Sequence, residues 1–330
     1  MLTNLEEMLG YCHSLEYLNF NVLDTSKVRN MDRLFYNCFS LKSLEISNIN
    51  TSSLISMENI FYNCSSLTSL DLSNFNTYNV KYMSFVFEHC SSLKSVNLSG
   101  FDFDNVIYIN SMFKDCSSLI SLDLSSFVFN QADLSSLFRN CISLTSIKFS
   151  TKYKIADNIN EMFYNYSSLI TVDLYNFDFG LVTEMNSLFY GCISLISLDL
   201  SYIDTYSLVT MESMFNGCYS LTSLNLKHWI TSSVISMDSM FYDCISLISL
   251  DLSYFNSSLV ANMKNLFQNC LKLISINLIN FQTTLVTTME SMFSGCTSLL
   301  SLNLSNFDTS QVTNMESMFF NCKKITSLDL

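Results

Sequence analysis

The sequence predicts an α/β solenoid of about thirteen stacked repeats, with parallel strands on one face and short helical turns on the other. Three observations carry that prediction. First, Cys12, Cys38, Cys64, Cys90 and Cys116 recur every 26 residues, Cys141 follows after 25, and Cys192, Cys218, Cys244, Cys270, Cys296 and Cys322 resume the step of 26. Tyr166 stands in the one gap. A fixed period between 20 and 50 residues is the mark of a stacked array, because each unit buries its apolar face only against its neighbours. Second, every cysteine or its substitute is followed at three, six and eight residues by apolar side chains, as in Leu67, Leu70 and Leu72 after Cys64. Third, the 330 residues contain no proline, where ordinary usage gives about sixteen.

Each unit begins with a short strand. The final half of L-x-x-L-x-L alternates with period two, so Leu70 and Leu72 face inward while Ser69, Asp71 and Ser73 face solvent. An aromatic residue or Ile comes next, as in Phe75, Phe101, Trp229, Phe255 and Phe307, and its rings are expected to stack from rung to rung. Thr and a small polar residue then precede a Val, Met, Met, Phe series, exemplified by Thr309, Val312, Met315, Met318 and Phe319. A hydroxyl ahead of apolar residues at helical spacing predicts an N-cap and a short helical turn. Asn, Asp, Gly or His directly before the cysteine, among them Asn37, His89, Asp115 and Gly217, tolerate positive φ and redirect the chain into the next strand.

Strand, turn, short helix and turn in 26 residues is the leucine-rich-repeat plan. The string C-x-S-L-x-S-L-D-L-S-x-F-x-T-x-x-V-x-x-M-x-x-M-F, clearest over residues 289–330, resembles the BspA-like leucine-rich-repeat surface proteins along essentially the whole chain. That resemblance implies a cell-surface or extracellular module for adhesion or host interaction, an intracellular scaffold being the alternative. Residues 1–330 read as a single solenoid lacking both capping units, since Leu5 already belongs to a repeat and Leu330 is a core position. The chain is therefore expected to be a fragment or an incomplete gene model, with any export signal upstream of Met1.

Composition narrows the function. Sixteen Lys and Arg against 29 Asp and Glu give a net charge of −13, which argues against nucleic acid as a partner. No apolar run reaches the length of a membrane span. Three scattered histidines and the absence of G-x-S-x-G, G-x-x-x-x-G-K or H-E-x-x-H leave no catalytic residue to name. The expectation is a non-enzymatic module without cofactor or metal, binding a protein or glycan.

The cysteine column reads as buried thiols acting as small hydrophobes rather than as a disulfide ladder, because parallel side chains on stacked rungs hold their Cβ atoms too far apart. The outward acidic column, including Asp71, Asp123, Asp173, Asp199 and Asp251, reads as a solvated Asp/Asn ladder exchanging hydrogen bonds between rungs, in preference to a calcium site. Residues 141–166 form an irregular unit with Lys148, Lys152 and Lys154, where a local bend or widened loop is expected. The best candidate anchor for a partner is Tyr202, His228 and Tyr254, one position before the buried aromatic column on consecutive rungs, where alternation turns them outward. Asp199 and Asp251, on the concave strand face, are the competing candidates.

Overall fold

The computed structural model describes residues 1–125, 127–149, 153–155 and 158–329, with 129–131, 153, 154 and 329 described by backbone alone. Its contacts divide the chain into two units, Met1–Ala156 and Asp157–Leu330. Both are built from stacked 26-residue rungs.

In the first unit, β1 (Tyr17–Asn19) pairs with β2 (Ser43–Glu45), β3 (Ser69–Asp71) with β4 (Ser95–Asn97), and β5 (Ser121–Leu124) with β7 (Ser146–Phe149), all parallel. An additional parallel pair, β6 (Phe129–Ala132) with β8 (Tyr153–Ile155), carries a register shift between Asn130 and Ala132. Within the segment 141–166, where a bend or widened loop is expected, lies the extra strand β8, and the register shift falls before that segment. Lys148 is ion-paired there with Asp123 at 2.9 Å, while Lys152 and the side chain of Lys154 lie outside the described residues, as does Leu330. In the second unit, β9 (Phe177–Asp178) precedes three parallel pairs: β10 (Ser197–Asp199) with β11 (Ser223–Asn225), β12 (Ser249–Asp251) with β13 (Ser275–Asn277), and β14 (Ser301–Asn303) with β15 (Ser327–Asp329). Register follows the repeat, Leu198 opposite Leu224 and Leu250 opposite Ile276. Central aliphatics such as Leu70 and Leu198 are buried, and the Ser and Asp on either side are exposed.

The return path corrects the sequence reading: no helix occurs among the described residues. Every rung instead places two left-handed residues four positions apart, such as Arg33 and Asn37 (φ 56° and 58°) or Ser213 and Gly217 (φ 54° and 74°). A right-handed helix cannot continue through such residues. The N–H groups of Met31, Arg33, Phe35 and Asn37 donate to the carbonyls of Ser56, Glu58, Ile60 and Tyr62 on the next rung at 2.8–3.0 Å. The intervening Leu34, Tyr36 and Cys38 donate three residues back within their own rung at 3.0–3.2 Å. Tandem turns therefore satisfy the backbone both along the rung and between rungs, which an isolated helical turn would not do. A run of parallel bridges through Asn4, Asn30, Ser56, Tyr82, Tyr108 and Asp133 extends this ladder along the first unit.

The threonine read as an N-cap performs a related task. Thr77 Oγ1 donates to Asp102 O at 2.7 Å and accepts from Asp102 N at 2.7 Å, and Thr231 clasps Asn256 on the next rung in the same way. These hydroxyls are buried, so the reciprocal pair removes the cost of burying them.

Aromatic columns fill the core. Phe35, Phe61, Phe87 and Phe113 stack at 5.4–5.7 Å in the first unit, and Phe163, Phe189, Phe215, Phe241, Phe267 and Phe293 at 5.4–5.7 Å in the second. The post-strand column stacks as expected, with Trp229, Phe255 and Phe281 in sequence at 6.0 and 6.4 Å. Trp229 is core, and its indole N–H donates to Leu200 O at 2.9 Å.

Candidate functional site

The cysteines form a structural column. All twelve are free, and all but Cys12 and Cys322 are buried. Each thiol from Cys38 onward donates to a carbonyl of the preceding rung at 3.1–3.2 Å, as Cys64 does to Phe35 O and Cys244 to Phe215 O. That carbonyl also accepts the backbone N–H of its own rung's cysteine, or of Tyr166 in the rung without one, for example Phe35 O from Cys38 N at 3.1 Å. Burial pushes these thiols up, Cys90 and Cys296 to about 12. They are inert at neutral pH, because the thiolate is the reactive form.

The exposed Asp/Asn column is also structural: the expected exchange between rungs occurs, as where Asn19 donates to Glu45 Oε2 at 2.8 Å, and each acid or amide also closes its own turn. Asp199 Oδ1 accepts the N–H of Ser201 at 2.9 Å and Asp251 Oδ1 that of Ser253 at 3.0 Å, and the same contact to the residue two ahead recurs at Asp71, Asn97, Asp123, Asp173 and Asn303. Each carboxylate closes the turn leaving its own strand. The backbone N–H of Ser201 holds the Asp199 carboxyl below the usual range. One oxygen of each acid is committed to this bond, and at Asp123 the other pairs with Lys148 at 2.9 Å.

Tyr202, His228 and Tyr254 are exposed, as read from alternation. The structure arranges them in edge-to-face pairs: His228 meets Tyr254 at 5.1 Å, and Tyr202 meets Tyr175 at 5.4 Å. The Tyr202 hydroxyl accepts the Leu174 N–H at 3.1 Å, which fixes the ring. His228 takes φ of 71°, turning it out of the strand direction. Beside them an open depression of about 490 Å³ is lined by Asp173, Asp199, Tyr202 and Asn225. Thus Tyr202 and Asp199 border one depression, while His228 and Tyr254 form the neighbouring pair. Tyr175 escaped the sequence reading because it lies 27 residues before Tyr202, one position off the column.

A second cluster lies on the return side of the first unit. His89 Nδ1 is 3.2 Å from Asp115 Oδ2 and its Nε2 3.6 Å from Glu88 Oε1. Three ligand types meet here, but the Lys114 ammonium sits 2.7 Å from Glu88 Oε1 and Asn140 donates to Asp115 at 2.6 Å. Lysine therefore supplies the positive charge that a cation would bring. Replacing Lys114 by Met should leave Glu88, 5% exposed, as a buried uncompensated charge. The cost is up to about 3–5 kcal/mol for a fully buried pair and less here, where Lys114 keeps some access to water. Denaturant unfolding should show Glu88→Gln in the same chain restoring most of the loss.

Rungs of 26 residues, inward leucines on short parallel strands and a turn-based return define a leucine-rich-repeat protein. The chain belongs to the family described as Mycoplasma protein of unknown function, DUF285, whose model matches residues 3–127, 79–170, 157–273 and 245–329. A comparison with curated proteins finds no match. Among solved structures, a leucine-rich repeat protein from Bacteroides ovatus is 19% identical, with 95% of this chain and 87% of that one covered and a TM-score of 0.46. A leucine rich cell surface protein from Faecalibacterium prausnitzii is 17% identical over 96% and 83% of the two chains, with a TM-score of 0.38. The pneumococcal vaccine antigen PcpA is 16% identical over 89% and 68%, with a TM-score of 0.46. No helix among the described residues is long and apolar enough to cross a membrane.

Proposed function

We propose that this protein is a non-enzymatic binding module of the BspA-like kind, acting in adhesion at the cell surface and engaging a protein or glycan through the turns that follow the strands of its second unit. The observation that supports the reading is the pair of exposed aromatic contacts, Tyr175 with Tyr202 and His228 with Tyr254, beside the open depression at Asp173 and Asp199. Rigid aromatic rings next to polar groups are the side chains that dominate binding energy at interfaces. Single contacts of this kind are weak, and repetition along an array supplies avidity.

Replacing Tyr202, His228 and Tyr254 together by Ser, with unchanged circular dichroism and melting, is expected to reduce adhesion to cells or matrix about tenfold or more. Unchanged adhesion that falls on Asp199→Asn with Asp251→Asn would transfer the role to the acidic columns. Twelve free thiols favour a second reading, an intracellular scaffold, since reduced cysteines suit a reducing compartment. Fractionation of the source cell, followed by surface proteolysis, separates the two.

A further inference from the structure

One position per rung, four residues after the cysteine and immediately before the outward serine, differs between the two units. In the second unit it holds Ile170, Ile196, Thr222, Ile248, Ile274, Leu300 and Thr326, and the five aliphatic residues are 45–58% exposed. Their backbones are joined between rungs, Ile196 N to Ile170 O at 3.1 Å, Thr222 N to Ile196 O at 2.9 Å and Ile274 N to Ile248 O at 2.8 Å. The first unit makes the same backbone contacts, Lys42 N to Glu16 O and Lys94 N to Thr68 O, both at 2.9 Å. Its side chains there are Glu16, Lys42, Thr68, Lys94, Ile120 and Thr145, with Lys42 paired to Glu16 at 2.8 Å. The rung therefore folds with a polar residue at this position. A row of half-exposed Ile and Leu side chains in one unit alone, interrupted by Thr222, is not a requirement of the fold, and exposed apolar surface of this kind marks an interaction site.

Charge selects the occupant. Residues 157–330 carry fifteen acidic and five basic side chains, a net of −10, whereas 1–156 carry fourteen and eleven, a net of −3. Asp173, Asp199 and Asp251 follow the aliphatic residues by three positions on their own rungs. A second copy would bring two strongly acidic units together, so like-charge repulsion opposes self-association through this stripe. A partner with an apolar face and basic flanks is complementary on both counts.

Spacing selects its conformation. From Ile170 to Leu300 the stripe spans five rung steps, about 24 Å at about 4.8 Å each. An α-helix of about sixteen residues has that length, and its apolar ridge advances about 5.4 Å per turn, close to one rung. An extended strand presents same-side residues about 6.7 Å apart and drifts out of step within three rungs. We propose that the aliphatic column of the second unit docks a cationic amphipathic helix, with its Leu-type residues over Ile170, Ile196, Ile248, Ile274 and Leu300 and its lysines toward the acidic column. This surface is distinct from the aromatic anchor proposed above.

The test uses the full chain and a fluorescent peptide of about eighteen residues with Leu at helical i, i+3, i+4 and i+7 spacing and Lys elsewhere, read by anisotropy. Two control peptides have the same composition, one scrambled and one alternating Leu and Lys. Wild type should bind the helical peptide at least about tenfold more tightly than either control, and the affinity should fall as salt is raised. Ile196→Ser with Ile248→Ser and Ile274→Ser should abolish that preference, with the fold retained as judged by circular dichroism. The Tyr202, His228 and Tyr254 variant should keep it, which separates this result from failure of the adhesion reading. No binding of the helical peptide, equal binding of either control, or equal binding by the serine variant overturns the proposal. So does sedimentation showing a wild-type dimer that the serine variant dissolves, because the occupant would then be a second copy.

Discussion

Raising the pH from 8 to about 10 is expected to unfold this protein cooperatively. A free thiol ionises near 9, and in the folded chain burial holds Cys64, Cys116, Cys218, Cys244 and Cys270 well above that value, Cys38 at about 11, and Cys90 and Cys296 at about 12. Cys141 and Cys192 are raised for the same reason. Below the unfolded value both states keep their protons and the contribution to stability is fully present. Above it the unfolded chain releases protons that the folded chain retains, so stability falls as pH rises toward the folded values. Each such thiol costs about 1.4 kcal/mol per pH unit in that window. For ten buried thiols the sum over one unit is on the order of 10 kcal/mol, comparable with the whole stability of a typical domain. Circular dichroism against pH, with thiolate absorbance followed in parallel, should show the two transitions coincide. Cys218→Ala with Cys244→Ala should lower the steepness by about two protons. A fold that keeps its melting temperature at pH 10 would mean that the thiols ionise in place.

Replacing Phe215 by Ala should cost about 3–5 kcal/mol, the range for removing a large buried aromatic. Phe215 is fully buried and stacks on Phe189 and Phe241, both at 5.7 Å. Its loss opens a cavity and breaks two ring contacts at once. Because each rung draws its stability from its neighbours, the damage also uncouples the rungs on either side. Urea unfolding should show a lower midpoint, with Phe215→Leu recovering much of the loss. Tyr219→Ala, at a residue 44% exposed and only four positions on, should stay within about 0.5 kcal/mol. A cost below about 1 kcal/mol for Phe215→Ala would show that the column does not set the stability of the stack.

Much of the candidate surface was legible because strand alternation is a local property. Once Leu198 is placed inward, Asp199 must face out, and the exposure of Tyr202, His228 and Tyr254 follows from a column count. The pairing of Tyr202 with Tyr175 was not legible, since Tyr175 occupies the preceding column, where later rungs carry Ser201 and Ser253, and Asn176 stands in the column of Tyr202. The His89 cluster was equally hidden. Its members are Glu88 and His89 on one rung and Lys114 and Asp115 on the next, and only stacking brings them together.

The sequence by itself determined the period, the strand register, the buried cysteine and aromatic columns and, in every rung but that of Tyr11, the left-handed residue before the cysteine position. Each of these depends on which side chain recurs at which step, and recurrence is written in one dimension. Only the tertiary structure decided how the chain returns. Val, Met, Met and Phe at helical spacing face inward equally well from a helix or from tandem turns, so the pattern alone cannot choose between them. The choice lies with the backbone N–H groups, half of which find carbonyls on the next rung. Those bonds impose a second left-handed position even on Arg33 and Phe85, residues with no preference for it. The same inter-rung contacts turned the threonine from a helix cap into a clasp and each thiol into a donor, because their partners stand about 26 residues away and become neighbours only when the rungs stack.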